Sequence, residues 1–162
     1  KFYVMNKLFS SSQATVSAVS SEADIYLNSN PTISSGFTYE IENNRLMVNG
    51  VAKYWQNGAS GSYKLGVYLL ENNIPGGSDN AISSEYEQSG ASSPNFMHQH
   101  VYREKREFVD LGTNGLANET IEFNEEFDLE ADYNQDNLEV VVVIYHESSN
   151  GDIAFENVSR SN

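Results

Sequence analysis

The sequence predicts an all-β fold: an antiparallel β-sandwich, jelly-roll or immunoglobulin-like, behind a short N-terminal helix or linker. Three observations carry this. From Ala23 onward apolar and polar residues alternate with period two, the signature of strands with one buried face. Turn residues punctuate these runs at short intervals. No helical pattern separates consecutive strands, which argues against an α/β arrangement.

Residues 1–22 stand apart. The stretch is rich in serine and spaces Leu8, Ala14, Val16, Ala18 and Val19 loosely as a helix would, so it reads either as one helix or as an extended linker leaving a preceding domain. The sandwich domain is expected over 23–162. "ADIYLNSNP" is its first strand, closed at Asn30-Pro31 because the residue before proline is pushed to extended conformations. Phe37, Tyr39 and Ile41 then alternate with Thr38, Glu40 and Glu42. After Asn43-Asn44, Leu46, Val48, Gly50, Ala52 and Tyr54 share the face of a second strand. An Asn-Asn pair tolerates the left-handed backbone of a tight turn, which makes this a hairpin. "NGASGS" turns the chain into "YKLGVYLLE", with Tyr63, Leu65, Val67 and Leu69 on one face.

Asn72 to Phe96 holds two of the three prolines and almost no alternation, so it is a long loop of the kind that is usually functional or mobile. An extended "HQHVYREKREFV", a turn-rich "LGTNGLANE" and the strand "TIEFNEEFDL" follow. "NQDNLEVVVVIYHE" is the strongest strand; Val140 to Ile144 is apolar at every position, which fits a central strand covered on both faces, on one side by the N-terminal segment. Ser148 to Gly151 turns into the last strand, "DIAFENV".

Composition bounds the function. The 162 residues suit one domain with a real core. Hydrophobic residues make up 39%, and 11 glycines bring the apolar share to about 46%, within the globular range. Lys and Arg number 9 against 23 Asp and Glu, a formal charge of -14. Such a field repels phosphate backbones and anionic lipid, so no nucleic acid is expected as a partner. The longest apolar run, Val140 to Tyr145, is far shorter than the roughly 20 residues of a spanning helix, and no membrane insertion by this chain itself is expected. The absence of cysteine removes disulfides, thiolate catalysis and cysteine-based zinc sites. Lys1 as first residue, with no leader pattern after it, suggests a trimmed or processed chain. Abundant Asn, Ser, Gly and Tyr point to an exported bacterial protein.

Two of the three histidines, His98 and His100, sit one residue apart directly before the densest positive cluster. On a strand they would share a face, and with His146 they form an alternative metal site of three imidazoles and an open position. The preferred reading is scaffold: His100 hydrogen-bonded at the end of the long loop, and no cofactor. "REKRE", Arg103 to Glu107, reads as a charged edge strand that discourages sheet-to-sheet pairing, with Arg103 packed and paired inside. The carboxylates from Glu119 to Asp132 lack the spacing of a calcium loop and read as a solvated face, with Ala131 to Asn137 the place for an incidental cation. Trp55, the single tryptophan, stands beside Tyr54, and such aromatics can stack on sugars. No nucleophile elbow, phosphate loop or His-Glu-x-x-His occurs.

"GSYKLGVYLLENNIPG", a loop, "HQHVYR" and a "NLEVVVVIYHESSNGDIAFENV" ending resemble the C-terminal half of the outer membrane protein 28 related family of Bacteroidetes. The similarity runs from about Ala23 to Val158, and "HQHVYR" at its distance from "GVYLLE" is its specific part. The resemblance implies a β-sandwich that follows a thioredoxin-like domain, and an exported protein, often a lipoprotein, with no established enzymatic activity. The expectation is a non-catalytic binding or assembly module at the outer membrane or cell surface. A protein partner in the cell envelope would meet the 72–96 loop and the adjacent sheet edge. Candidate binding residues are Trp55, Tyr54, Tyr86, Phe96, His98, His100 and Arg103. The alternative is a carbohydrate-active sandwich, either a glycan-binding module or a hydrolase with metal at His98, His100 and His146.

Overall fold

The computed structural model of the chain describes residues 2–4, 7–9, 30–75 and 97–161. β1 (Phe2–Val4) and β2 (Lys7–Phe9) pair antiparallel, so strand pairing stands at the start of the segment expected to be a helix or linker. The rest of that segment and the strand expected from Ala23 lie outside the described residues. β3 (Ile33–Glu42) and β4 (Arg45–Tyr54) form the expected hairpin, centred on Glu42 opposite Arg45. Asn43 and Asn44 both take positive φ, 52° and 60°, as a two-residue turn between twisted strands requires.

β5 (Gly61–Glu71) leads into the segment expected to be a long loop, where β6 (Ile74–Pro75) pairs antiparallel with β7 (Met97–His98). Ile74–Pro75 is strand where loop was expected, and residues 76–96 of the expected loop lie outside the described residues. β8 (Val101–Lys105) and β9 (Val109–Thr113) follow, the latter running from the end of the expected extended stretch into the one read as a turn-rich connection. β10 (Thr120–Asp128), β11 (Leu138–Ser148) and β12 (Ile153–Arg160) complete the chain.

Besides the two-stranded pairings β1-β2 and β6-β7, the described residues form two larger antiparallel sheets. One has the order β10-β4-β3; the other runs β12-β11-β5 and is edged by β8 and β9, which divide the length of β5 between them. The protein is an all-β sandwich. Its core follows from parity along the strands: Leu46, Val48, Ala52 and Tyr54 face Tyr63, Leu65, Val67 and Leu69, with Phe123, Phe127, Val140, Val142 and Ile144 between them. Each such burial contributes about 1.5–3 kcal/mol. Gly50 lies in register between Phe37 and Phe123, and a Cβ there would stand 2.3 Å from the Phe123 ring. Glycine is what lets that ring cross the sheet.

Side chains close the two open sides. Ser159 Oγ donates to the Ser35 carbonyl at 2.8 Å, linking β12 to β3. Arg106 donates to the Glu126 carbonyl and lies over Phe127, linking the β8 edge to β10. From Val140 to Ile144 β11 is apolar on both faces; most of the N-terminal segment expected to cover one of them lies outside the described residues. On the outer face of β11 Tyr145 shares a 2.5 Å hydroxyl contact with Tyr68 and packs against Phe108 and Phe155.

Candidate functional site at the root of the long loop

Glu71 is the point where the two sequence motifs meet. It continues the buried parity of Tyr63, Leu65, Val67 and Leu69, so its carboxylate is carried inward and is 3% exposed. A buried carboxylate needs partners. Arg103 Nε donates to Oε2 at 2.8 Å, and the Asn134 backbone N–H donates to Oε1 at 3.0 Å. The Arg103 guanidinium also lies 4.8 Å from the centre of the Tyr133 ring. Burial raises the Tyr133 hydroxyl above its ordinary value, while Arg103 pulls it back.

A second clasp sits beside the first. Glu139, on the outer face of β11, is nearly buried and gathers donors from both ends of the loop. The Asn72 amide donates to Oε2 at 3.0 Å, and the His100 Nδ1 contacts the same oxygen at 2.8 Å. Arg160 lies 3.6 Å from Oε1. Burial alone would raise the Glu139 carboxyl; the bonds from Asn72 and His100 and the nearby Arg160 outweigh it and hold it below the usual range. Asn72 also accepts from the His100 backbone N–H at 2.8 Å, and its own N–H donates to the Asn137 carbonyl. Asn73 and His100 both take left-handed backbone, φ 58° and 55°. Asparagine and histidine tolerate that region better than most residues, at some cost.

Amides extend the network. Gln99 Nε2 donates to Asn73 Oδ1 at 3.0 Å, and Asn73 Nδ2 donates to Asn137 Oδ1 at 3.3 Å. Asn137 ends a 3-10 turn, Gln135–Asn137, capped by the Asn134 side chain, which accepts from the Asp136 N–H. These residues line a cleft of about 420 Å³ with Tyr39, Glu139 and Arg160. A further cleft of about 490 Å³, lined by Glu71, Tyr102, Arg103 and Asp132, opens beside the same loop root.

The arrangement corrects the metal alternative. His100 takes left-handed φ just beyond β7, so the alternation that would have put it beside His98 is broken. His100 meets Glu139, whereas His146 lies seven residues further along β11, about 23 Å away at strand rise. There His146 stacks on Tyr63 at 4.6 Å and points Nε2 at the Ser60 carbonyl. The three histidines do not converge, and no group of metal-holding side chains occurs among the described residues. In the stretch where an incidental cation was expected, the Asn134 side chain caps the 3-10 turn, Gln135 Nε2 donates to Asn44 Oδ1 and Asn137 Oδ1 accepts from Asn73.

The other candidates divide. Tyr54 is not a surface platform: it is fully buried, its hydroxyl donates to the Leu111 carbonyl, and burial, then Tyr63 and nearby carboxylates, push its pKa up to about 12. Trp55, one residue past the end of β4, is exposed instead, with Nε1 donating to Ser34 Oγ and Lys53 over its ring. His98 is buried beneath the loop root and presents no surface. Arg103 is paired inside, as expected, and Arg106 pairs with Glu104 on the edge. Tyr86 and Phe96 lie outside the described residues. Sequence reasoning passed over Glu71, Asn72, Glu139 and Arg160, although parity marked Glu71 as a carboxylate on a core face.

The family described as outer membrane protein Omp28 matches residues 3–162. The chain belongs to that family. It is thus an outer-membrane-associated module, and the match includes the first residues that the motif resemblance left out. Among solved structures, HBP35 of Porphyromonas gingivalis is 12% identical with a TM-score of 0.63, over 90% of this chain and 45% of that one. The chain therefore spans less than half of that protein, and the likeness is one of fold. A domain of the outer membrane lipoprotein Omp28 from Porphyromonas gingivalis is 15% identical with a TM-score of 0.47, over 83% of this chain and 89% of that one. Comparison with curated proteins gave no match.

Proposed function

We propose that this Omp28-family chain is a non-catalytic, exported binding or assembly module of the outer membrane or cell surface. Its protein partner in the cell envelope meets the 72–96 loop and the β8 edge beside it. One observation carries the reading: the charged residues of both family-like motifs are used to hold the loop root. Arg103 is engaged with Glu71, and His100 with Glu139. Groups committed to structural pairs of this kind are poor general acids, bases or ligands, because each proton transfer would break a bond that holds the root. A root held rigid on two central strands lowers the entropy lost when a segment binds.

A photo-crosslinking residue placed at Tyr86, in the loop, should capture a protein of discrete mass in intact envelopes, while one placed at Glu122, on the opposite sheet, should not. Capture from Glu122 alone, or from neither position, contradicts the proposal.

A further inference from the structure

We propose that the cleft between the loop root and the end of β11 binds a neutral, hydroxyl-rich ligand: a monosaccharide, free or as the terminal unit of a glycan. This small-molecule site is independent of whatever meets the loop itself.

The lining excludes the other ligand classes in turn. A cation would need several open carboxylate oxygens, but the Glu139 oxygens already face Asn72, His100 and Arg160, which leaves Asp136 as the one open carboxylate of the lining. An anion would approach Glu139 and Asp136 in a chain of formal charge -14. An apolar ligand would find only Tyr39 and Leu138 amid polar side chains. What the cleft presents is amides, which offer donor and acceptor together and so match hydroxyl groups that do the same.

Their roles follow from the bonds already made. Gln99 donates through its nitrogen to Asn73, so its carbonyl oxygen is the acceptor left for a ligand. Asn137 accepts on its oxygen, so its N–H groups are the donors left. The Arg160 side chain, 63% exposed at the rim, adds further donors. Tyr39, 38% exposed and part of the lining, supplies an aromatic ring on which the C–H face of a sugar can pack. The amides are oriented before any ligand arrives, since Gln99, Asn73 and Asn137 are cross-bonded. The left-handed backbone at Asn73 and His100 is the kind of local strain that collects at binding sites. The volume of about 420 Å³ falls in the range of small-molecule clefts.

The test is a titration of the isotope-labelled 162-residue chain with glucose, galactose, mannose and N-acetylglucosamine, each also as its methyl glycoside, followed by amide NMR shifts. At least one sugar should move the Asn73, Gln99, His100 and Asn137 signals, with a dissociation constant on the order of 1 mM. Gln99→Ala and Asn137→Ala should each weaken binding about tenfold while the remaining spectrum stays in place. Equal binding of the methyl glycoside assigns the site to a glycan terminus; binding of the reducing sugar alone assigns it to a free one. No shift from any sugar, shifts confined to Trp55 and its sheet, or equal shifts with sodium acetate or calcium would overturn the proposal. The wild-type titration decides even if a variant fails to fold.

Discussion

Arg103 Nε donates to Glu71 Oε2 at 2.8 Å across the whole length of the long loop. The pair is mostly buried, with 22% of the arginine side chain and 5% of the glutamate side chain exposed. Removing one partner leaves the other as an uncompensated charge in a poor solvent, which costs more than the pair itself contributes. Arg103→Met is therefore expected to cost about 3 kcal/mol in urea denaturation. Replacing both residues, Arg103→Met with Glu71→Leu, should recover part of that loss. A single variant within experimental error of wild type contradicts the assignment.

Two carboxyls give the chain opposite pH dependences. Glu139 sits below its ordinary value of 4.5, so its stabilisation is complete above the unfolded value and is lost as pH falls through the folded one. Glu156 is raised from 4.5 by burial, against the pull of His146, so its contribution is present in acid and is lost as pH rises through the folded value. In denaturation series run at neutral pH and near pH 3, Glu139→Gln should lower the midpoint more at neutral pH than in acid. Glu156→Gln should raise the neutral midpoint and leave the acid one unchanged. Equal changes at both pH values would sink either assignment.

Gly50→Ala tests the packing of the smaller sheet. The new methyl would meet the Phe123 ring at 2.3 Å and the Gly36 carbonyl at 2.8 Å. Overpacking of this kind costs about 2 kcal/mol. Phe123→Leu introduced with it should restore part of the loss, since the ring tip is the nearest obstacle. Additive losses in the double variant would show that the backbone contact dominates.

Separated histidines predict indifference to metal. Zinc and EDTA should leave the thermal midpoint of the purified chain where it is, because His100 is bonded to Glu139 and His146 is stacked on Tyr63. Stoichiometric zinc with a midpoint lowered several degrees by EDTA would contradict the geometry.

The architecture was legible where local rules act alone. Alternation placed Leu46 to Tyr54 and Tyr63 to Leu69 on their buried faces, and Asn43-Asn44 set the hairpin register because few residues accept two successive left-handed positions. The β8 and β9 boundary was not legible: after Arg106, whose N–H still donates to the Val67 carbonyl, the chain leaves β5 and rejoins it at Val109, a tertiary choice with no periodic signal. The metal alternative at His98 and His100 could not be weighed from sequence for the same reason. Their spacing suits one strand face, but His100 turns to left-handed φ to meet Glu139, a partner 39 residues away. Parity puts Tyr54 and Trp55 on opposite sides of the expected strand, although β4 itself ends at Tyr54. The loop-root clasp could be read only in part, from Glu71 standing in an otherwise apolar row.

Hydrogen exchange at the loop root tests the central claim most directly. In wild type the Asn72 and His100 amides, bonded to the Asn137 carbonyl and the Asn72 side chain, should be protected nearly as well as those of β5 and β11. In Arg103→Met that protection should fall while β4 and β10 keep theirs. Asn72 and His100 amides that exchange freely in wild type would contradict the account, because the motif residues would then hold nothing in place.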